Sequence, residues 1–285
     1  MIAQILIYGI VASAIYALLA IGLTLMIGIA RVMNLAHGTF YMLGAYLIFT
    51  ANVTLNLPLV VSLILSISIV VFVAIITESV CLRPLKGETD RMLVMTLLLA
   101  LLFEEAIAMT YGPQPRAIPL FISGRVILGG ISVPSQRLLA VVGSVTTIAG
   151  LGFFIAKTKT GGAILTVAQD PEAASLMGVN GRRIILLIHG LAAALAALAG
   201  ILVAPFLSSS PNMWVLPLVK ALTVVILGGL GSVTGSILAA CILGFSETIV
   251  SFAISPRITE LVALVILFLV IILKPDGLMG TKIKL

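Results

Sequence analysis

Charged residues are scarce in this chain, and their scarcity decides its class. Only 9% of the 285 residues are Asp, Glu, Lys or Arg, whereas 61% are hydrophobic. A soluble domain carries about 25% charged residues, which help to cover its surface with polar groups. A water-soluble globular fold is therefore excluded, and we expect the hydrophobic surface to face lipid.

Cysteine and histidine are also rare, and their positions exclude several kinds of site. Cys81 and Cys241 lie in or beside apolar segments, which indicates packing residues rather than metal ligands or a disulfide framework. His189 lies in an apolar stretch and is assigned no function. The phosphate-binding loop that ends in Gly-Lys-Ser/Thr is absent, and no acid–base arrangement typical of an enzyme is present. We predict no catalytic residue, no metal and no cofactor, so a partner must hydrolyse any ATP.

Long uncharged runs predict membrane-spanning helices. No charged residue occurs in 1–30, 32–77 or 184–219, and about 20 apolar residues suffice to cross roughly 30 Å of hydrocarbon. Helices are expected because backbone polar groups must be paired inside lipid. We predict an all-α, polytopic membrane helix bundle that forms a single domain over 1–285, with eight or nine transmembrane segments, some of them discontinuous.

Nine candidate spans follow from these runs. The first lacks the positive start of a signal peptide, so we interpret it as a retained span, with a cleaved leader as the alternative. The seventh is short and ends in glycines, and if it only dips into the membrane the total is eight. The candidates are 4–29, 34–54, 58–80, 92–111, 137–156, 184–206, 216–230, 233–254 and 258–274.

The basic residues predict the orientation. If the polar loop at about 157–183 is cytoplasmic, eleven Lys and Arg residues lie on the cytoplasmic side and five on the other, as cytoplasmic loops tend to be basic. The N-terminus is then external. The net charge of +6 is explained by these loops, and nucleic acid is not an expected partner. The five outer cations are Arg116, Arg125, Arg137, Lys220 and Arg257.

The segment 166–180 predicts a short helix with a signal at each end. Asp170 is a preferred N-cap, Pro171 suits the first helical position, and Glu172 favours the positive end of the helix dipole. Gly178 is placed to end the helix in a left-handed conformation. We expect two turns, about 10 Å long. Such a rigid helix can dock into a partner, although the spacing alone also fits an ordinary surface helix.

Several stretches resemble the permeases of the branched-chain amino acid ABC importer family. Besides 166–180, they include Met33-Asn-Leu-Ala-His-Gly-Thr-Phe-Tyr-Met-Leu-Gly-Ala-Tyr, the glycine-rich run from Val219 to Ser236, and Leu273-Lys-Pro-Asp-Gly-Leu-Met-Gly. Arg83-Pro-Leu-Lys-Gly fits as well. The stretches follow one another in the family's order over nearly the whole chain, which looks closest to the shorter of the family's two permease subunits.

The resemblance implies a permease subunit in the cytoplasmic membrane of a bacterium or archaeon. Its implied partners are a second homologous permease, two ATP-binding subunits, a periplasmic or extracellular solute-binding protein, and membrane lipid. One departure is that Leu165 and Thr166 stand where the family commonly has an Arg-Ala pair, so no salt bridge is expected there. By resemblance, docking to the ATP-binding subunits is carried over onto Asp170, Glu172, Ala173, Ala174 and Gly178.

The implied activity is inward transport of branched-chain or other hydrophobic amino acids. Relatives of similar sequence serve urea or short amides, and the residues do not choose between these substrates. An ATP-independent secondary transporter or channel is a second hypothesis, but it leaves the capped helix unused. A membrane scaffold that transports nothing is a third.

Two glycine-containing breaks in the apolar segments are candidates for the solute pathway. Interrupted helices within a membrane expose backbone groups that transporters use to bind solutes. Local capping by the histidine and close helix packing at the glycines are the alternative interpretations. The candidate residues are Asn34, His37 and Gly38 in the first break and Gly228, Gly229 and Gly231 in the second.

Four charged residues lie inside predicted spans, where a charge is costly. Glu104 and Glu105 point about 100° apart on a helix, so they cannot face one partner. Either can face a water-filled vestibule, where it would favour an amine-bearing solute, or the outer interface. Lys220 and Glu247 lie in the outer halves of adjacent spans, and we predict a buried charge pair with a structural role first and a gating role second.

Overall fold

The fold is a bundle of helices, seen in a computed structural model that describes residues 2–207, 209–274 and 277–279. The first helices are α1 (Ile2–Leu25), α2 (His37–Phe49), α3 (Leu59–Thr77) and α4 (Thr89–Tyr111). Two strands, β1 (Arg125–Leu128) and β2 (Ile131–Pro134), precede α5 (Ser135–Lys157), α6 (Lys159–Gln169) and α7 (Pro171–Leu176). The chain continues through α8 (Gly181–Val203), α9 (Val215–Gly228), α10 (Val233–Ala253) and α11 (Thr259–Leu273).

The apolar helices confirm the predicted membrane bundle. Within the described ranges, seven helices are long and apolar enough to cross a membrane, namely those that contain α1, α3, α4, α5, α8, α10 and α11. α9 has only 14 residues, which span about 20 Å at 1.5 Å per residue. α2 has 13 residues and continues into a π-helical turn, Thr50–Thr54, but it is not among the seven. The total of eight or nine crossings therefore stays a prediction.

The centre of the bundle is a seam of small residues between α2 and α8. A Cβ atom on Gly200 would lie 2.0 Å from the carbonyl oxygen of Tyr41, and one on Gly44 would lie 2.5 Å from that of Ala197. Small residues let membrane helices approach closely enough for their backbones to pack. As a result α8 is buried over most of its length and supports the helices around it.

The segment 157–183 differs from the loop that the sequence predicts. It contains two helices, because α6 precedes the expected short helix α7. Thr158 caps α6 by accepting a hydrogen bond from the backbone N–H of Gly161 at 2.9 Å. Ile164 and Val167 are buried and fix α6 to the bundle.

A short two-stranded hairpin lies at the other end of α5, and the predicted all-α class is otherwise confirmed. β1 and β2 form an antiparallel hairpin in which Val126 pairs with Val133. Gly129 and Gly130 provide the turn, and both have positive φ values. We call this end of the bundle the outer end and the end with α7 the inner end, after the predicted orientation.

Candidate functional site

The short helix α7 is capped at both ends. The Oδ1 atom of Asp170 accepts hydrogen bonds from the backbone N–H of Glu172 at 2.9 Å and of Ala173 at 3.0 Å. Gly178 follows the helix with a φ of 81°, a left-handed conformation that favours glycine. The helix has six residues, so it is about 9 Å long and rigidly bounded.

Two large apolar side chains project from the end of α7, and we call them the apolar tip. Leu176 is 89% exposed and Met177 is 78% exposed, whereas Ala174 is fully buried. An exposed apolar patch rimmed by polar residues is typical of a surface that binds another protein. The sequence analysis missed this pair, although two bulky apolar residues just before Gly178 in a polar segment are a readable signal.

α6 connects α7 to the body of the bundle. Ile164, Val167 and Ala174 belong to one buried cluster together with residues of α1 and α8. A Cβ atom on Gly161 would lie 2.3 Å from the carbonyl oxygen of Ile155, so α5 and α6 meet backbone to backbone. Close-packed interiors transmit displacement. α7 is therefore joined to α1 and α8 through one packed interior.

A basic cavity lies beside α7 at the inner end. Its volume is about 760 Å³, and it lies next to the π-helical turn that ends α1. The positive lining matches the predicted cytoplasmic side. The lining includes four cations, one carboxylate and the first residue of α7, which are Arg31, Arg83, Lys86, Arg182, Glu78 and Pro171.

A larger cavity lies at the outer end between α1, α5, α9 and α10, and we call it the outer cavity. Its volume is about 1040 Å³. Within it, Lys220 Nζ lies 2.9 Å from Glu247 Oε2 and donates a hydrogen bond to Tyr16 Oη at 2.8 Å. Tyr16 donates to the same oxygen of Glu247. The cluster joins three helices, and it pairs the two charges that the sequence analysis placed together.

Arg137 adds a second cation to the outer cavity. Its guanidinium lies 4.6 Å from the centre of the Tyr8 ring and 5.6 Å from that of Phe206. Cation–π contacts of this kind position a charge without neutralising it. The sequence analysis placed Arg137 only among the outer basic residues, because its two aromatic neighbours come from α1 and from the turn after α8, both distant in sequence.

The three candidate residues of the first break, Asn34, His37 and Gly38, are buried and line neither cavity. His37 is fully buried, and its Nε2 atom lies 3.1 Å from the carbonyl oxygen of Leu19. Asn34 Oδ1 accepts a hydrogen bond from the backbone N–H of Ala36 at 2.9 Å, which is a local turn contact. A Cβ atom on Gly38 would lie 2.8 Å from the carbonyl oxygen of Trp214. A pathway role for these residues stays a prediction.

The adjacent glutamates on α4 point in different directions, as helical geometry requires. Glu104 Oε2 accepts a hydrogen bond from Trp214 Nε1 at 2.8 Å, whereas Glu105 is exposed on the surface of α4. Neither carboxylate lines the basic cavity or the outer cavity. Their proposed contact with solute stays a prediction.

Similarity to known proteins extends over almost the whole chain. A family model described as "Branched-chain amino acid transport system / permease component" matches residues 5–272. The chain belongs to this permease family. The family resemblance of its motifs is thereby confirmed, and so is its nature as a multi-pass protein of the cytoplasmic membrane.

Individual relatives of this permease agree with the family assignment. The high-affinity branched-chain amino acid transport system permease protein BraD of Pseudomonas aeruginosa is 30% identical over 292 residues, covering 97% of this chain and 95% of BraD. The high-affinity branched-chain amino acid transport system permease protein LivH of Escherichia coli K12 is 30% identical over 287 residues, covering 95% of this chain and 93% of LivH. The solved structure of PsaBC from Streptococcus pneumoniae in complex with Fab shares the fold, with a TM-score of 0.57, 11% identity and 97% of each chain covered.

The glycine-rich stretch of this permease forms the tight connection between α9 and α10. A Cβ atom on Gly228 would lie 2.5 Å from the carbonyl carbon of Gly235, so the two helices touch there. Gly229 and Gly231 have φ values of 101° and 81°, which side chains disfavour. These contacts show close packing and a sharp turn, while solute contact at these glycines stays a prediction.

Proposed function

We propose that the chain is the membrane-spanning subunit of an ATP-binding-cassette importer that moves branched-chain or other hydrophobic amino acids inward. Partner subunits hydrolyse the ATP. The observation that carries the proposal is α7, a capped helix with an exposed apolar tip at the basic end of the bundle. The names of BraD and LivH support the substrate class.

The proposed partners are those that the permease family implies. Two ATP-binding subunits dock at the inner end, each on the α7 helix of one permease, and a second homologous permease completes the pathway. A solute-binding protein delivers amino acid to the outer end. This chain supplies part of the solute pathway and the helix α7 that receives the movement of the ATP-binding subunits, and it does not hydrolyse ATP.

The proposed movement starts at the apolar tip. Closure of the ATP-binding subunits displaces α7, and Ala174 passes the displacement to α6 and then to α1 and α8, with which it shares a buried cluster. α1 reaches the outer end, where Tyr16 joins Lys220 and Glu247. Movement at the inner end therefore changes the geometry of the outer cavity.

Two alternatives make different demands on these features. A permease for urea or short amides in the same family would need only hydrogen bonds, whereas the outer cavity contains charges of both signs. An ATP-independent secondary transporter would have no use for the apolar tip. Both features therefore favour the amino acid importer.

Reconstitution tests the proposal directly. The permease pair is placed in liposomes with or without the ATP-binding subunits, and uptake of labelled leucine and of labelled urea is measured with the solute-binding protein on the outer side and ATP on the inner side. We expect leucine uptake only when both the ATP-binding subunits and ATP are present. Leucine uptake without them would overturn ATP-driven import, and uptake of urea instead of leucine would overturn the substrate class.

A further inference from the structure

We propose that the outer cavity binds the zwitterion of an apolar α-amino acid, with the ammonium group at Glu247 and the carboxylate at Arg137. The inference rests on the proposed function and adds to it the position and chemistry of a solute site within this one chain. It is carried by a carboxylate oxygen and a cation that both lack a partner among the residues that the structure describes, and by the apolar side chains that line the same cavity.

Glu247 lines the cavity and has an unpaired acceptor buried in its wall. Its Oε2 atom is occupied by Lys220 and Tyr16. Its Oε1 atom is buried and has no hydrogen-bond partner among the residues that the structure describes, and the whole residue is only 2% exposed. Because a buried, unpaired acceptor is costly, it gains strongly when a donor arrives. A cationic donor such as an ammonium group forms the stronger, charge-assisted bond.

Arg137 offers the complementary charge. The rings of Tyr8 and Phe206 hold its guanidinium, and it forms no ion pair within the ranges 2–207, 209–274 and 277–279. A guanidinium matches a carboxylate with two parallel hydrogen bonds. Lys220 Nζ already donates to Glu247 Oε2 and to Tyr16 Oη, so Arg137 is the better partner for the carboxylate of a solute.

The rest of the lining suits an apolar side chain. Small-molecule sites are mostly apolar with a few placed polar groups, and much of this cavity's wall is apolar. Its charged lining residues are Lys220, Arg137, Glu247 and Glu260, so the cavity carries two charges of each sign. A branched aliphatic group can contact residues of α1 and the chain after α8, whereas urea would leave both charges and the apolar wall unsatisfied. The apolar lining includes Val11, Ile15, Leu19, Val203 and Leu207.

A purely structural ion pair explains only part of this arrangement. It accounts for the bond between Lys220 and Glu247 Oε2. It does not account for an unpaired Oε1 in a residue that lines a cavity, or for a second cation in the same cavity without a carboxylate partner. Solute binding accounts for all three.

Competition against the wild-type chain is the first test, since it does not depend on the folding of a variant. Binding of labelled leucine to the purified full-length permease in nanodiscs is measured at equilibrium, without partner subunits. We expect saturable binding that valine and isoleucine displace, and that N-acetyl-leucine, isoamylamine and urea displace at least about tenfold less well. Absence of saturable binding, or equal competition by N-acetyl-leucine or urea, would overturn the site.

Variants are the second test. Arg137→Gln removes no ion pair, and Lys220→Met combined with Glu247→Leu removes both members of the buried pair together, a change that proteins often tolerate. We expect each to weaken leucine binding at least about tenfold. Arg125→Gln, on the outer hairpin and outside the cavity lining, is the matched control and should change binding less than about twofold. Folding of each variant is checked by size-exclusion chromatography.

The two proposals fail in distinguishable ways. If ATP-driven leucine uptake by the complete assembly is present and the folded variants bind leucine like the wild type, the site is wrong and the importer function stands. If leucine binding follows the expected pattern but uptake proceeds without the ATP-binding subunits, the site stands and the ATP-driven mechanism is wrong.

Discussion

The inner and outer ends of the bundle carry charge in opposite ways. The basic cavity at the inner end is lined by four cations and one carboxylate, and α7 beside it exposes two apolar side chains. The outer cavity buries a cation with an anion and holds a second cation by aromatic rings. The first arrangement suits the surface of a protein partner, and the second suits a small molecule with both charges. Under the proposed function, the inner end receives force and the outer end contacts solute.

The largest expected effect comes from changing the apolar tip at the inner end. Replacing Leu176 and Met177 together by Glu puts two charges into the proposed contact with the ATP-binding subunits, where a desolvated charge without a partner is costly. We expect loss of co-purification of the ATP-binding subunits and at least a tenfold drop in leucine uptake, with normal insertion. Pull-down and proteoliposome uptake measure the two effects.

A matched change at the outer end controls for the effect of added charge. Ile127 is likewise exposed, on the hairpin between α4 and α5. Ile127→Glu should leave co-purification of the ATP-binding subunits unchanged. If the double replacement at the tip also leaves it unchanged, the inner end is not the docking surface.

An intermediate effect is expected from breaking the buried pair. Lys220→Met leaves Glu247 charged and uncompensated, which costs about 3–5 kcal/mol of folding free energy for buried pairs. Adding Glu247→Leu should recover most of this loss. At the inner end the exposed pair of Arg91 and Glu88, at 2.6 Å, is worth about 0–1 kcal/mol, so Arg91→Met should be nearly silent.

Denaturant titration in micelles compares these variants on one scale. A double variant as unstable as the single one would show that the cavity needs the charges for folding itself. If Arg91→Met lowers the free energy of unfolding as much as Lys220→Met does, the contrast between the exposed pair at the inner end and the buried pair at the outer end does not hold.

The helix α7 at the inner end was largely predictable, because the residues that determine it are neighbours in sequence. Asp170 caps the helix two and three residues ahead, and Gly178 ends it, so both signals can be read locally. The exception is α6, whose start at Lys159 contains two glycines that weaken any helix signal. Gly129 and Gly130 are an equally local signal for a hairpin. Long apolar runs, from which the spans were predicted, do not detect such short strands.

The outer site was predictable only in part because it is assembled from distant helices. Lys220 and Glu247 could be placed together from their similar depths in adjacent spans. The position of Arg137 over Tyr8 depends on how α5 packs against α1, which no local pattern specifies. The free oxygen of Glu247 depends in turn on where Tyr16 lies. Side-chain orientation at a junction of several helices is set by the whole fold.

The smallest expected effect tests whether the rigidity of α7 itself matters at the inner end. Asp170→Ala removes the acceptor for two backbone N–H groups, a loss worth about 1 kcal/mol for an N-cap. In a helix of six residues, this loosens α7 without changing the apolar tip. We expect leucine uptake to fall a few-fold while the ATP-binding subunits still co-purify. Asp170→Asn, which keeps the accepting oxygen, should transport normally, and equal uptake by the Ala variant would show that docking needs no preformed helix.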